Sequence, residues 1–564
     1  MVPRAALSPA AELAGASALG VVLTAAAGRR AEADALLTLR TGTATGRSRR
    51  RALAAGAAAG LGTQAVLDDS DETAYVLQTR GHLLRARDEI AHHRGPLAAR
   101  HRRWLDGHAA VLRGVALEPL THGPSSPASA CTGRGPVLHV VTNALPDVQA
   151  GYTIRTHGIL RAQAAAGRPV AAVTPPGYPV AQGRLAAGET ATLDGIRYLR
   201  SLPPRVTADP AAPDRALVAH VESVVQRAVE LRAEVLHAHS NHVNAQAALI
   251  AGRRLDVPVV YEVRGLLEET WRARGGDPTS EFYRWTRATE TRCLELASAV
   301  VTLSRPLREE IVARGIDPSR VHVVPNGVDD DLLTTRPDGD ALRRRLGIDP
   351  DAVVIGTVST LNRYEGIDLL VASAAVLDDP RLVVLVVGDG PELHTLQQAA
   401  DRLRADVVRT RVVLTARLSR TDALAAQAGI DVFCVPRRDT RVTRLVAPLK
   451  PVEAMALGRP VVASDLPPLS ELLGLAPTDT GPSTHTGPFA GPAPRGVLVA
   501  PGNLAALAAA LGALADEPAR RVALGEAGRA HVRAHRTWGA AAQTYAGIYA
   551  SLTQSPSVHP GLAS

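Results

Sequence analysis

Two doubly wound parallel α/β units in series, preceded by a mainly helical extension, are the fold that this 564-residue sequence predicts. From residue 136 onward, short β-branched runs alternate with segments of helical period. Those runs are apolar throughout rather than alternating, which is the pattern of parallel strands covered on both faces. The alternation starts afresh after "NGVDDDLLTTRPDGD", and a chain of this length exceeds what one hydrophobic core organises.

Taken in order, residues 1–118 hold Ala/Leu/Arg segments of helical period and no convincing strand. Residues 119–135, rich in Pro, Ser and Gly, read as a linker. The first α/β unit, 136–335, carries expected strands at 137–143, 168–175, 233–239, 257–265 and 299–304, with helical stretches such as 214–232 between them. The second, 336–536, carries them at 352–360, 381–390, 411–416, 430–436 and 459–465, with a surface insertion at 475–495. A closing helix is expected over 537–552 and a tail over 553–564.

Composition narrows the class. The net charge of +8 suits nucleic acid, an anionic membrane surface or a phosphorylated substrate, and charge alone does not choose. No recognition module or basic-aromatic stripe accompanies it, so nucleic acid is not expected. Cys131, Cys293 and Cys434 are widely separated, without zinc-type spacing, which points to a reducing compartment and no structural metal. The apolar run at 13–28 is short and preceded by Glu12, and reads as a packed helix rather than a signal or membrane span.

In open α/β sheets ligands bind beyond the carboxyl ends of the strands, so the loops there are where chemistry is sought. "HAHSNH" places His237, His239 and His242 at one strand end, where the i, i+2 pair shares a face without securing a metal site and hydrogen-bonding histidines are the alternative to a site role; "YEVRG" places Arg264 at the next, suited to an anionic substrate group or else to a surface ion pair. Gly151 opens a helix after the first strand, where free N–H groups can meet an anion or a sugar hydroxyl, unless it only makes a turn. Gly388 and Gly390 in "GDGP" can cradle a nucleotide or form an ordinary tight turn. In "PLKPVEAMALGRPVVASD", Pro451 fits a first helical turn, so that Lys450 and the free amides converge on one anion-binding spot. Glu453 on that turn can accept from ribose or sugar hydroxyls, or pair with the helix terminus.

Together with "NGVD", "YEGIDLLVAS", "GDGP" and "GVLVAPGNLAALAAAL", this last string resembles the family 4 retaining glycosyltransferases of the GT-B fold, with the blocks in the family's order over about 136–552. The resemblance implies an N-terminal Rossmann-like acceptor domain and a C-terminal one for a nucleotide-sugar. It also implies a cleft between them and a last helix that crosses back to the first domain. Glu453 then falls on the ribose-holding second glutamate of the family's paired-glutamate motif, while the first falls at Leu445. The family's phosphate-binding Arg and Lys fall at Thr360 and Glu365; Lys450, Arg363, Arg437 or Arg441 are the charges that can replace them. This combination reads as a "YEG / PLKPxEAMA" variant. His239 resembles the family's active-site histidine, Arg264 takes the place of another, Gly151 matches the loop facing the donor phosphates, and Arg417 lies near the base pocket.

The implied activity is transfer, with retention, of a sugar from a nucleotide-sugar, UDP-linked, to a hydroxyl of a glycan, lipid-linked or small-molecule acceptor. His239, Arg264 and Lys450 would serve the chemistry, with no metal or other cofactor. Such an enzyme belongs to polysaccharide biosynthesis and is expected in the cytoplasm; the basic stretch "RGPLAARHRRW" reads first as a solvated helix face, with peripheral contact to the inner membrane face as the alternative. Two rivals stay open: a UDP-sugar 2-epimerase-like enzyme of the same fold, and a non-catalytic nucleotide-binding scaffold.

Overall fold

The computed structural model describes residues 74–94, 96–120, 134–180, 188–201, 212–475 and 494–553. The apolar run 13–28, linker residues 121–133, residues 476–493 of the expected insertion and residues 554–564 of the tail lie outside them.

The first unit is an eight-stranded sheet ordered β3-β4-β2-β1-β5-β6-β7-β8. Its strands are β1 Val137–Val140, β2 Val170–Val173, β3 Thr190–Leu193, β4 Ile196–Leu199, β5 Val235–His239, β6 Val259–Val263, β7 Ala299–Thr302 and β8 Val321–Val323. Every pairing is parallel except the β3/β4 hairpin at the edge. That hairpin turns on Asp194 and Gly195, both with positive φ, the conformation that matches the twist of two flanking strands. It was not expected from sequence, because β3 is short and half exposed and lacks the continuous apolar run of its neighbours. The central strands β1, β5 and β6 are buried along their whole length. Strand order reverses between β1 and β5, which opens a crevice beyond their carboxyl ends.

The second unit is a six-stranded, wholly parallel sheet ordered β11-β10-β9-β12-β13-β14. Its strands are β9 Val353–Thr360, β10 Leu382–Asp389, β11 Arg411–Thr415, β12 Val432–Val435, β13 Val461–Ser464 and β14 Gly496–Val499. Here the reversal falls between β9 and β12.

The described part of the extension is three helices, Ala74–Thr79, Leu83–Ala91 and Pro96–Leu112, gathered on Leu77, Leu83, Leu105 and Leu112. It packs against Trp285 and Phe282 of the first unit. Thr289 Oγ1 donates to the Leu112 carbonyl at 2.6 Å, which ties the end of the third helix down. No helix among the described residues is long and apolar enough to cross a membrane.

After the helix Pro518–His535 the backbone pairs with Val328 on the segment joining the units: the Val328 N–H donates to the Arg536 carbonyl at 2.8 Å, and the Trp538 N–H to the Val328 carbonyl at 3.0 Å. The last helix, Trp538–Thr553, then lies on the first unit, its Trp538, Tyr545 and Tyr549 in one apolar cluster with Ile159, Val235 and Val301. Gly158 makes that docking possible, since a Cβ there would meet Trp538 Nε1 at 2.3 Å.

Candidate active site

The carboxyl ends of β1, β5 and β6 converge on one buried polar network. Parallel register places His139 beside His237 and His239 beside Glu262, and the two-residue period points His237 and His239 to the same face. His139 Nδ1 and His239 Nε2 lie 2.8 Å apart, and the His237 and His239 rings stack at 4.4 Å. Glu262, fully buried, takes Arg155 Nε at 3.0 Å and Arg264 Nε at 2.6 Å on one oxygen, while the Tyr545 hydroxyl bonds the other. Burial pushes this carboxyl up, but Arg155 and then Arg264 more than offset it and hold it well below the usual range. Burial also lowers the pKa of His139, His237 and His239, so all three sit as neutral imidazoles at pH 7.

Arg264 is fixed on several sides. Besides Glu262, its Nη1 donates to the Tyr152 carbonyl and to Thr156 Oγ1, both at 2.7 Å, and its Nη2 meets His239 Nδ1. The guanidinium therefore sits against the first turn of the helix Gly151–Ala165. Gly151 begins that helix, exposed, with nothing within 4 Å of where a Cβ would stand. His239, by contrast, is only 2% exposed and has both ring nitrogens engaged. It lies behind Arg264 rather than facing the cleft, so the expected direct role passes to a group that acts through its neighbours. His242 points elsewhere, 3.9 Å from Glu290.

In the second unit, the helix Lys450–Ala456 begins with Pro451 in its first turn, as its sequence predicts. Glu453 is 1% exposed; its Oε2 accepts from Gln427 Nε2 at 2.9 Å and from Lys450 Nζ at 3.0 Å. Arg420 Nη1 lies 2.6 Å from the other oxygen, poorly aligned for a hydrogen bond but a close ion pair. Burial raises the Glu453 pKa, while Lys450, Arg420 and Gln427 outweigh it and bring it down to about 2. Two cations thus share one carboxylate, and the trio keeps one positive charge, partly open to solvent through Lys450 and Arg420.

The other expected phosphate-binding charges are placed differently. Arg437, 7% exposed, donates Nε and Nη2 to the two oxygens of Glu365, each at 2.9 Å, and Nη1 to the Val446 carbonyl at 2.9 Å. Glu365 therefore neutralises Arg437. Gly366 beside it has φ +68°, and a Cβ there would stand 2.0 Å from the Pro436 carbonyl oxygen, which explains the glycine after "YE". Arg441 pairs with Glu310 of the first unit, so it joins the two units instead of facing a donor. Arg417 Nη2 donates to the Gln149 carbonyl at 2.7 Å, which brings it to the loop before Gly151. Arg363 is exposed in a short 3₁₀ turn after β9. Gly388 and Gly390 are required by backbone crowding: Cβ atoms there would meet the Ser359 carbonyl at 1.9 Å and that of Leu361 at 2.7 Å. Leu445, 6% exposed, belongs to the apolar cluster of Val263 and Leu266, and its carbonyl accepts from Ser304 Oγ at 3.0 Å.

Sequence reasoning missed Arg155, Glu262, His139, Arg420, Gln427 and Tyr545. A glutamate inside the apolar run "VVYEV" was the available signal, since a buried carboxylate demands partners. Arg155, Arg420 and Gln427 lie on ordinary-looking helices and reach their partners only through the fold.

Two family models match the chain: "Glycosyl transferase 4-like domain" over residues 150–327 and "Glycosyl transferases group 1" over 352–517. A D-inositol 3-phosphate glycosyltransferase of Kineococcus radiotolerans is 31% identical over 350 residues, covering 59% of this chain and 76% of the relative. A GDP-mannose-dependent monoacylated alpha-(1-6)-phosphatidylinositol monomannoside mannosyltransferase of Corynebacterium glutamicum is 33% identical over 238 residues, covering 41% of this chain and 56% of the relative. Among solved structures, a sucrose-phosphate synthase from Thermosynechococcus elongatus superposes with a TM-score of 0.57 at 20% identity, covering 74% of this chain and 99% of its own. HepE of Anabaena in complex with UDP and glucose does so with a TM-score of 0.54 at 20% identity, covering 74% of this chain and 100% of its own.

Proposed function

Because the chain belongs to the family 4 glycosyltransferases of the GT-B fold, we propose that it moves a sugar from a UDP-linked donor, with retention, to a hydroxyl of a glycan, lipid-linked or small-molecule acceptor. The observation that carries this reading is the Lys450–Glu453–Arg420 trio, a partly exposed group of the second unit in which two cations share one carboxylate. Lys450 and Arg420 are suited to a diphosphate leaving group, whose developing charge is what such a transfer must stabilise. Glu453 holds these two cations, and a ribose hydroxyl bonding to it would displace one of its present partners. On the acceptor side, Arg264 is held at the start of the helix that Gly151 opens, with Arg417 reaching over from the second unit. The acceptor hydroxyl then attacks the face that the nucleotide leaves and passes its proton to a donor phosphate oxygen, so positioning does most of the catalysis. With arginines and a lysine meeting the phosphates, this reading needs no metal.

The Glu365–Arg437 clamp favours a second reading, a nucleotide-binding scaffold without transfer, because it removes one positive charge from the expected phosphate site. Incubation of the protein with radiolabelled UDP- and GDP-sugars and a membrane extract separates the two. Transfer from a UDP-sugar to extractable acceptor, with the anomeric configuration kept by NMR, is the expected result. Transfer only from a GDP-sugar overturns the donor assignment, an isomerised donor identifies the epimerase-like enzyme, and tight nucleotide binding without either product leaves the scaffold.

A further inference from the structure

The returning C-terminal helix does more than tether the first unit, because two of its hydroxyls complete the network that holds Arg264. Tyr545 is fully buried, and its hydroxyl at once donates to Glu262 Oε2 and accepts from Arg155 Nη2 at 3.0 Å. His237 Nε2 also approaches Glu262 Oε2, at 3.4 Å, a longer and weaker contact than the tyrosine hydroxyl makes. One turn further on, the Tyr549 hydroxyl lies 2.7 Å from His237 Nδ1 and accepts from Gln163 Nε2 at 3.2 Å. Gln163 Oε1 in turn meets His139 Nε2 at 3.1 Å, and His139 bonds His239 against Arg264. Arg155 extends the same network to the segment that joins the units, donating to the carbonyls of Val324 at 2.8 Å and Pro325 at 2.9 Å.

We propose that Tyr545 and Tyr549 are positioning residues for sugar transfer: through Glu262 and the His237–His139–His239 ladder they set the place of the Arg264 guanidinium, so that it is ordered only when the last helix is docked. The three imidazoles also approach one another closely enough to suggest a cation site. The carboxylate that would join them is already shared by Arg155 and Arg264, however, and a dication there would face both guanidinium charges. A role in positioning uses every partner that is present; a cation would displace them.

The inference rests on the transferase reading for its catalytic part, and its test keeps the two apart. Tyr545→Phe and Tyr549→Phe keep the rings in place and remove one hydroxyl each. Tyr283→Phe is the control, since it also removes a tyrosine–glutamate bond, to Glu269 at 2.8 Å, away from this network. Amide hydrogen exchange of the unliganded protein is followed in the peptides spanning 150–156 and 259–266. Protection there is expected to fall about threefold or more in both network variants, and by more than in the control when the three are compared at equal distance below their own melting temperatures. With whichever nucleotide-sugar supports transfer, kcat is expected to fall about tenfold while the donor KM stays within about twofold. Exchange at the parent's level in both network variants overturns the proposal, as does a kcat loss matched by Tyr283→Phe. If no donor supports transfer, the transferase reading fails while the exchange measurement still decides whether the tyrosines order Arg264.

Discussion

Replacement of Lys450 by Met removes a charge while keeping an unbranched side chain, and the surroundings of Glu453 fix what should follow. The carboxyl is 1% exposed and its pKa stands at about 2 against an ordinary 4.5. At about 1.4 kcal/mol per pH unit, that gap is worth on the order of 3 kcal/mol in favour of the ionised form. A folded-state pKa below the unfolded one stabilises the protein at pH above about 4.5 and loses that contribution as the pH falls toward about 2. Lys450 is the largest of the opposing charges, with Arg420 and Gln427 remaining after its removal. Lys450→Met should therefore cost about 1–3 kcal/mol near pH 7, less than the loss of a whole buried pair. Thermal or urea unfolding of parent and variant between pH 3 and pH 7.5 should show the difference narrowing below about pH 4.5. Over the same variant, UDP affinity measured by calorimetry should fall about 10- to 100-fold, the worth of one charge-assisted hydrogen bond. An exposed helix pair at the same spacing would give only about 0.3–0.5 kcal/mol and no change in nucleotide binding. Unchanged UDP affinity would refute the assignment of Lys450 to the phosphates, and a stability loss that does not vary with pH would refute its pairing with the ionised Glu453.

Gly158→Ala places a methyl group 2.3 Å from Trp538 Nε1 and is expected to destabilise by about 1–3 kcal/mol, with Trp538 fluorescence shifting to the red as the last helix lifts. Gly547→Ala on that helix meets nothing within 4 Å and should be neutral or slightly stabilising in the same melts; equal losses at both sites would contradict the docking argument. Arg441→Gln breaks the ion pair to Glu310 that spans the units, so solution scattering without nucleotide should give a larger radius of gyration at nearly unchanged melting temperature, and an identical profile would show that other contacts set closure.

What was legible in the sequence divides along physical lines. Strands β1, β5, β6, β9, β10 and β12 announce themselves as continuous apolar runs because both faces of each are covered. The β3/β4 hairpin did not, since half-exposed edge strands of four residues carry too little pattern, and only the Asp194-Gly195 pair marked the turn. At the site, Lys450 and Glu453 were readable because both lie on one helical turn, a local relation. Their partners Arg420 and Gln427 come from the helix Arg420–Ala428, and nothing in that segment's spacing points to a carboxylate three elements later. His239 and Arg264 were readable as neighbouring strand ends. That Arg264 would cover the histidine, with Glu262 behind it bonded to Tyr545, depends on a helix returning from the far end of the chain.

The surroundings of Leu445 and Glu365, the two positions where the resemblance leads one to expect a glutamate and a lysine, account for the residues found there. Position 445 is apolar because it packs into the first unit's core cluster, where a glutamate would be stripped of water with Ser304 already bonded to the backbone carbonyl. Position 365 is acidic because Arg437 is nearly buried behind it, and a lysine there would oppose a guanidinium with no room to turn away. Each residue is thus matched to its own neighbours. Near Gly366 the Glu365–Arg437 pair cancels and leaves the exposed Arg363, while two cations share the single carboxylate of the Lys450–Arg420–Glu453 trio. Arg437, Arg438 and Arg441 are each already paired, with Glu365, Asp368 and Glu310, which is why the charge of Lys450 should matter more to nucleotide affinity than any one arginine of "VPRRDTRVT".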